Sequence, residues 1–172
     1  GLHVPGTTFF APGTIARDAA VRESARAVLD AIDRGPRYRP IGHVLDERAF
    51  VNGLVGLMAT GGSTNLTLHL IAMAAAGGIK LTWDDMNDIS EATPLLARVY
   101  PNGSADVNAM EAAGGLPFLI DQLRSAGFLH TDVQTLTENG LDDYGRVAKV
   151  AVDGTLSYEP APAVSGLPDV LT

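Results

Sequence analysis

Cysteine is absent from all 172 residues. That excludes a disulfide framework and any cysteine-ligated zinc or iron–sulfur centre built from this chain alone. The four histidines, His3, His43, His69 and His130, stand far apart, and no two share a metal-binding spacing. No run of Lys and Arg exists, and the net charge is −8. Such a balance argues against a nucleic-acid surface, because nothing here neutralises phosphates along a duplex. No apolar run reaches the roughly 18 residues of a membrane span, and no basic segment leads into a signal-like core. The expectation is a cytoplasmic protein with neither a membrane nor a nucleic-acid partner.

What is present is an ordinary globular composition, 46% hydrophobic with 19% charge, long enough for one folded unit with a core. The most committed stretch is Ala59-Thr60-Gly61-Gly62-Ser63-Thr64-Asn65, which leads into the apolar segment Leu66 to Ala76. A glycine pair permits backbone conformations and close approaches that a Cβ forbids, and Ser, Thr and Asn cap helix starts. A helix start with free N–H groups and a positive dipole end attracts phosphate or carboxylate. Gly62, Ser63, Thr64 and Asn65 are therefore candidate substrate-binding residues. The alternative is a tight helix–helix turn with a cap and no ligand.

Periodicity and caps predict helices near 15–34, 46–59, 64–76, 83–91, 105–113 and 116–126. In the first, Val21, Ala25, Val28 and Ile32 form the stripe expected to face inward. In the second, apolar residues occupy adjacent faces, and Gly53 and Gly56 mark places where neighbours approach closely. Arg37, Arg39 and His43 are the cations nearest the glycine turn in sequence, with ion pairing to Asp46 and Glu47 as their simpler role. His69 lies on an apolar face and reads as a hydrogen-bonded core histidine. Thr82 with Asp84 and Asp85 reads as a capped helix start with Leu81 and Met86 as a staple, rather than as a metal site. Leu95 to Tyr100 is the best strand candidate, and the turn Pro101 to Ser104 is a second place where backbone donors face outward. Short extended segments and turns at Asn139-Gly140 and Asp153-Gly154 follow. The proline-rich tail, residues 159–172, reads as a linker, leaving 1–158 as the folded part.

Several blocks in order, GLHVPGTTF, RPIGHVLDERAFVNGLVGLMATGGSTNLTLHLIAMA, KLTWDDMNDIS, ATPLLARVYPNGSADVNAMEAAGG and LRSAGFLHTDV, resemble the dihydroxy-acid and 6-phosphogluconate dehydratase family. RPIGHVLDE, VNGLVGLMATGGSTN and RVYPNGSADVN resemble its 6-phosphogluconate branch. The resemblance implies a hydro-lyase that removes water from a phosphorylated sugar acid to give a 2-keto-3-deoxy acid of the Entner–Doudoroff pathway. It also implies a 4Fe–4S iron–sulfur cluster as Lewis acid and a homodimer. In the family the cluster cysteines precede the GLHVPG segment and a C-terminal domain follows the tail. The chain is thus expected to be an internal piece of an α/β, layered N-terminal domain, mainly helical, with most sheet strands elsewhere and the tail running toward a further domain. Alone it is expected to bind no cluster and to be inactive. The alternatives are a dihydroxy-acid or sugar-acid dehydratase of the same family and, in another class, a non-catalytic interaction module.

Overall fold

A computed structural model describes Gly1 to Thr172. It is mainly helical: α1 (Ile15–Ile32), α2 (Ile41–Val44), α3 (Glu47–Thr60), α4 (Thr64–Ala76), α5 (Trp83–Ala92), α6 (Val107–Ala113) and α7 (Gly115–Ser125) precede a short 3-10 helix (Gly140–Gly145). An antiparallel pair, β1 (Arg146–Val150) and β2 (Leu156–Pro160), follows, with Ala148 opposite Tyr158. No helix is long and apolar enough to cross a membrane.

Helix starts fall where short polar side chains can satisfy otherwise orphaned N–H groups. Thr14 accepts from Arg17 N–H, Asp46 from Ala49, Ser63 from Asn65, Thr82 from Asp85 and Asp106 from Ala109. At Thr82 the pairing is reciprocal, since the Asp85 carboxylate accepts the Thr82 backbone N–H at 2.8 Å. Asp84 and Asp85 are thereby first-turn acids of a capped helix, and Leu81 packs with buried Met86 beside it.

Helix α3 is the hub. Its Phe50, Leu54 and Leu57 join Leu70 and Ala74 of α4 and Met86 of α5 in one cluster. Its Val55 and Ala59 join Met110, Phe118, Leu119, Leu123, Ala97 and Leu171 in a second. Burying a side chain such as Leu54, fully enclosed, contributes on the order of 2 kcal/mol by transfer from water. The same helix leaves Gly53 and Gly56 uncrowded, contrary to their expected role as close-approach points. A Cβ on Gly56 would meet nothing within 4 Å, and one on Gly53 only Leu70 Cδ2 at 3.9 Å.

Three further expectations are corrected. Helix α1 turns its large apolar stripe outward: Val21, Val28 and Ile32 are 57%, 56% and 64% exposed, while Ala19 and Ala20 are buried. The helix has two apolar faces, and the alanine face packs because small side chains let the helix lie close to its neighbours. Leu95 to Tyr100 forms no strand. It makes isolated bridges, Ala97 with Leu171 and Val99 with Ala105, and its Leu96 and Ala97 N–H groups both donate to the Ala59 carbonyl at the end of α3. The reason is that no partner long enough for a ladder lies beside it. His69 is exposed rather than in the core.

The segment expected to be a linker begins inside β2 and its end returns to the main core. Gly166 N–H donates to Ala113 O, Thr172 N–H donates to Leu96 O, and Leu171 is fully buried.

The accessible surface is 9885 Å², against about 8,000 Å² for a compact monomer of this mass. The exposed residues include large apolar side chains such as Val21, Val28 and Ile32 on α1.

Candidate functional site

The turn between α3 and α4 is built by two glycines that no other residue replaces. Gly61 closes α3 in the left-handed region, φ 56° and ψ 42°, and its N–H reaches the Leu57 and Met58 carbonyls. This is a helix C-cap in which glycine escapes the Cβ penalty. Gly62 N–H also donates to Leu57 O, at 3.0 Å. A Cβ on Gly62 would lie 2.6 Å from Leu57 Cδ1, and one on Gly61 would overlap the carboxamide of Asn102.

Asn102 connects the two turns that the sequence marked separately. Its Nδ2 donates to the Gly61 carbonyl at 2.6 Å, so the Pro101–Ser104 loop sits against the glycine turn although 41 residues separate the two partners. Sequence reading missed this contact. The only available signal was that both loops carry asparagine and glycine next to a helix start.

Beyond the glycines the chain enters α4 directly. Ser63 Oγ accepts from Asn65 N–H at 3.1 Å, and Ser63 O accepts from Leu66 N–H at 2.9 Å. Those bonds use two of the four N–H groups that a helix start leaves open, and the Ser63 and Thr64 N–H groups stay available. Gly62, Ser63, Thr64 and Asn65 are all exposed. Chemically the arrangement is a small set of neutral donors at the positive end of a helix dipole, able to receive an oxyanion. Two cations of the connector before α3 are engaged elsewhere. Arg37 pairs with Asp30 at 2.6 Å, and the Arg39 guanidinium donates to the Pro36 and Tyr38 carbonyls. Asp46 pairs instead with Arg48, at 3.3 Å.

Other polar groups serve packing. Asn52 on α3 clamps the loop after α7 through both ends of its carboxamide, donating to His130 O at 2.9 Å and accepting His130 N–H at 2.8 Å. Tyr144 donates its hydroxyl to His3 O at 2.8 Å, and burial pushes that phenol well above its ordinary pKa. His3 stacks edge-on against Tyr144 and shares a 2.9 Å hydrogen bond with Thr8. Its pKa is lowered by burial. No group of three or more His, Asp or Glu side chains is placed to hold a metal ion.

With this geometry in place, comparison with known proteins assigns the class. Residues 1–144 match the family described as dihydroxy-acid/6-phosphogluconate dehydratase N-terminal, and the chain belongs to that family. Among individual relatives, a Rhizobium meliloti protein named phosphogluconate dehydratase is 52% identical over 171 residues, covering 99% of this chain and 28% of the relative. A Pseudomonas aeruginosa protein of the same name is 49% identical over 162 residues, 94% of this chain and 26% of its own length. A Saccharolobus islandicus protein named dihydroxy-acid dehydratase is 40% identical over 137 residues, 80% of this chain and 24% of its own. The chain spans about a quarter of the length of the curated relatives it matches.

Proposed function

We propose that this chain works as part of a hydro-lyase that dehydrates 6-phosphogluconate to 2-dehydro-3-deoxy-6-phosphogluconate. The observation that carries the reading is the 52% identity held across 171 residues with a relative named phosphogluconate dehydratase. In this reading residues 1–158, with the end of the tail packed back on them at Leu171, belong to the enzyme's N-terminal domain, a C-terminal domain lies elsewhere in the protein, and the working form is a cytoplasmic homodimer. The shared name is the reason to prefer a phosphorylated sugar acid. A dihydroxy-acid substrate is the second reading, favoured by the 40% identity to a relative of that name.

The reading calls for an iron–sulfur cluster, which supplies Lewis acidity toward a leaving hydroxyl. The residues here do not fit one, because the chain has no cysteine and no clustered alternative donors. We derive no step through the cluster, whose ligands belong to other parts of the protein on this reading. The role assigned to this chain is to hold anion donors at the start of α4. There Gly62 N–H is already spent on Leu57 O, which leaves Ser63 and Thr64 N–H, with the Asn65 carboxamide beside them, to meet a substrate oxyanion.

Two measurements on the full-length protein test this. Turnover of 6-phosphogluconate should exceed that of gluconate and of 2,3-dihydroxyisovalerate, and equal or faster use of a non-phosphorylated acid would reverse the substrate choice. Asn65→Ala should raise KM for 6-phosphogluconate with kcat kept. An unchanged KM would leave the turn with a purely structural role.

A further inference from the structure

One face of α1 and the N-terminal segment line a recess of about 420 Å³. Arg17, Val21 and Ser24 stand four and three residues apart on α1 and so share that face, with Ala20 beside them. His3, Thr7 and Thr8 come from the N-terminal segment, and Leu116 of α7 completes the lining. No carboxylate takes part, and the one full charge is the Arg17 guanidinium.

That guanidinium is without a partner. The neighbours three and four residues away on either side, Gly13, Thr14, Ala20 and Val21, carry no carboxylate, whereas Arg26 has Glu23 and Arg37 has Asp30. Arg17 enters none of the ion pairs of the chain. Two other recesses that take in cations take in carboxylates too: Arg22 and Arg26 share theirs with Glu23 and Asp153, and Lys149 shares its own with Glu111 and Glu159. Here the positive charge is left for something from outside.

The groups beside it are held in place. Tyr144 donates its hydroxyl to the His3 carbonyl, and its ring meets the imidazole edge-on with 5.6 Å between centroids. Thr7 is buried and donates to Val4 O at 2.7 Å, which fixes the turn leading into Thr8. His3 Nε2 lies 2.9 Å from Thr8 Oγ1. Whichever of the two donates, one polar hydrogen is left over: the Thr8 O–H when Nε2 carries the ring hydrogen, and His3 Nδ1–H when it does not. Ser24 spends its hydroxyl hydrogen on Ala20 O at 2.7 Å, so it and Thr7 offer only lone pairs, which suit a hydroxyl beside an anion.

A carboxylate has two oxygens, and the fork of one guanidinium satisfies both. A further donor next to the fork calls for an anion with a third oxygen. A phosphate monoester supplies three, with roughly −1.5 to −2 of charge at pH 7. We propose that this recess is a phosphate-binding site, with Arg17 as its counter-charge and the His3–Thr8 pair as its neutral donor. The site stands without the substrate reading, and only its assignment to the phosphate of 6-phosphogluconate rests on that reading.

The test uses the full-length protein and its Arg17→Met and Arg17→Lys variants. Calorimetric titration with inorganic phosphate should give a Kd roughly tenfold or more higher in Arg17→Met, the size of a lost charge-assisted hydrogen bond, and Arg17→Lys should recover part of it. Phosphate binding that is absent from the parent protein, or that Arg17→Met leaves unaltered, overturns the proposal. Kinetics then name the source of the phosphate. A KM for 6-phosphogluconate that rises by the same factor in Arg17→Met, with kcat kept, assigns the site to the substrate. An unmoved KM beside weakened phosphate binding assigns it to free phosphate or a separate phosphorylated ligand. An active dehydratase whose phosphate binding ignores Arg17 sinks the site alone, and Arg17-dependent phosphate binding in a protein that leaves 6-phosphogluconate intact sinks the substrate reading alone.

Discussion

Helix α3 carries one pair of glycines and ends at another, and the two pairs differ in what surrounds them. Gly61 and Gly62 are fully explained inside the chain: one has a left-handed backbone, both have near neighbours, and each N–H reaches a carbonyl of the last turn. Gly53 and Gly56 are helical, open and unexplained by anything that touches them. A glycine's meaning is therefore set by its surroundings. In the first pair close neighbours are present, and in the second the space beside the helix is open.

The strongest test of that contrast is Gly61→Val. The left-handed backbone costs a β-branched residue about 2 kcal/mol before any overlap with Asn102 is counted. Denaturant midpoints of the full-length protein should fall accordingly, and a loss below about 0.5 kcal/mol would mean that residue 61 does not hold the left-handed backbone.

Next in size is Asn102→Ala, expected to lose about 1 kcal/mol with the hydrogen bond to Gly61 O. In a Gly61→Ala background the added loss should shrink, because both changes break one contact. Full additivity in the double-mutant cycle would uncouple the two loops.

Gly56→Ala should carry the opposite sign. Alanine adds up to about 1 kcal/mol of helix propensity where the space beside the helix is empty. Denaturant midpoints read the sign, and a loss of stability would erase the difference between the glycine pairs.

The smallest effect concerns a feature as locally complete as Gly61, the capping box of α5. Hydrogen bonds from Thr82 hold the Asp85 carboxyl below its ordinary value of 3.8. A carboxyl whose pKa is lower in the folded state contributes stability above the unfolded value, and that contribution is lost as pH falls through the folded one. The acid limb of stability below about pH 4 should flatten in Thr82→Ala, and an unchanged acid limb would show that the box does not form.

Legibility followed range. Thr14, Asp46, Ser63, Thr82 and Asp106 declare helix starts because a cap and its target lie within three residues. The glycine turn was readable for the same reason. The face of α1 was not, because periodicity finds apolar stripes without saying which is buried, and here the alanine side packs while Val21, Val28 and Ile32 face out. Leu95 to Tyr100 has strand composition, but its neighbour at Leu171 comes from the far end of the chain. Proline content hid that return. The contact of Asn102 with Gly61 was equally out of reach, since neither loop's residues specify the other.

The seat of Leu171 beside Ala97 has a consequence for synthesis. Ala97 is made 74 residues before the side chain that completes its surroundings, 171 minus 97. The last other member of that cluster, Leu123, precedes Leu171 by 48 residues, 171 minus 123, so at about 5–20 residues per second the otherwise complete cluster waits roughly 2–10 s with a leucine-sized gap. During that interval the helices around it hold a half-finished interior on the ribosome, a stage at which chaperones and aggregation compete for the nascent chain.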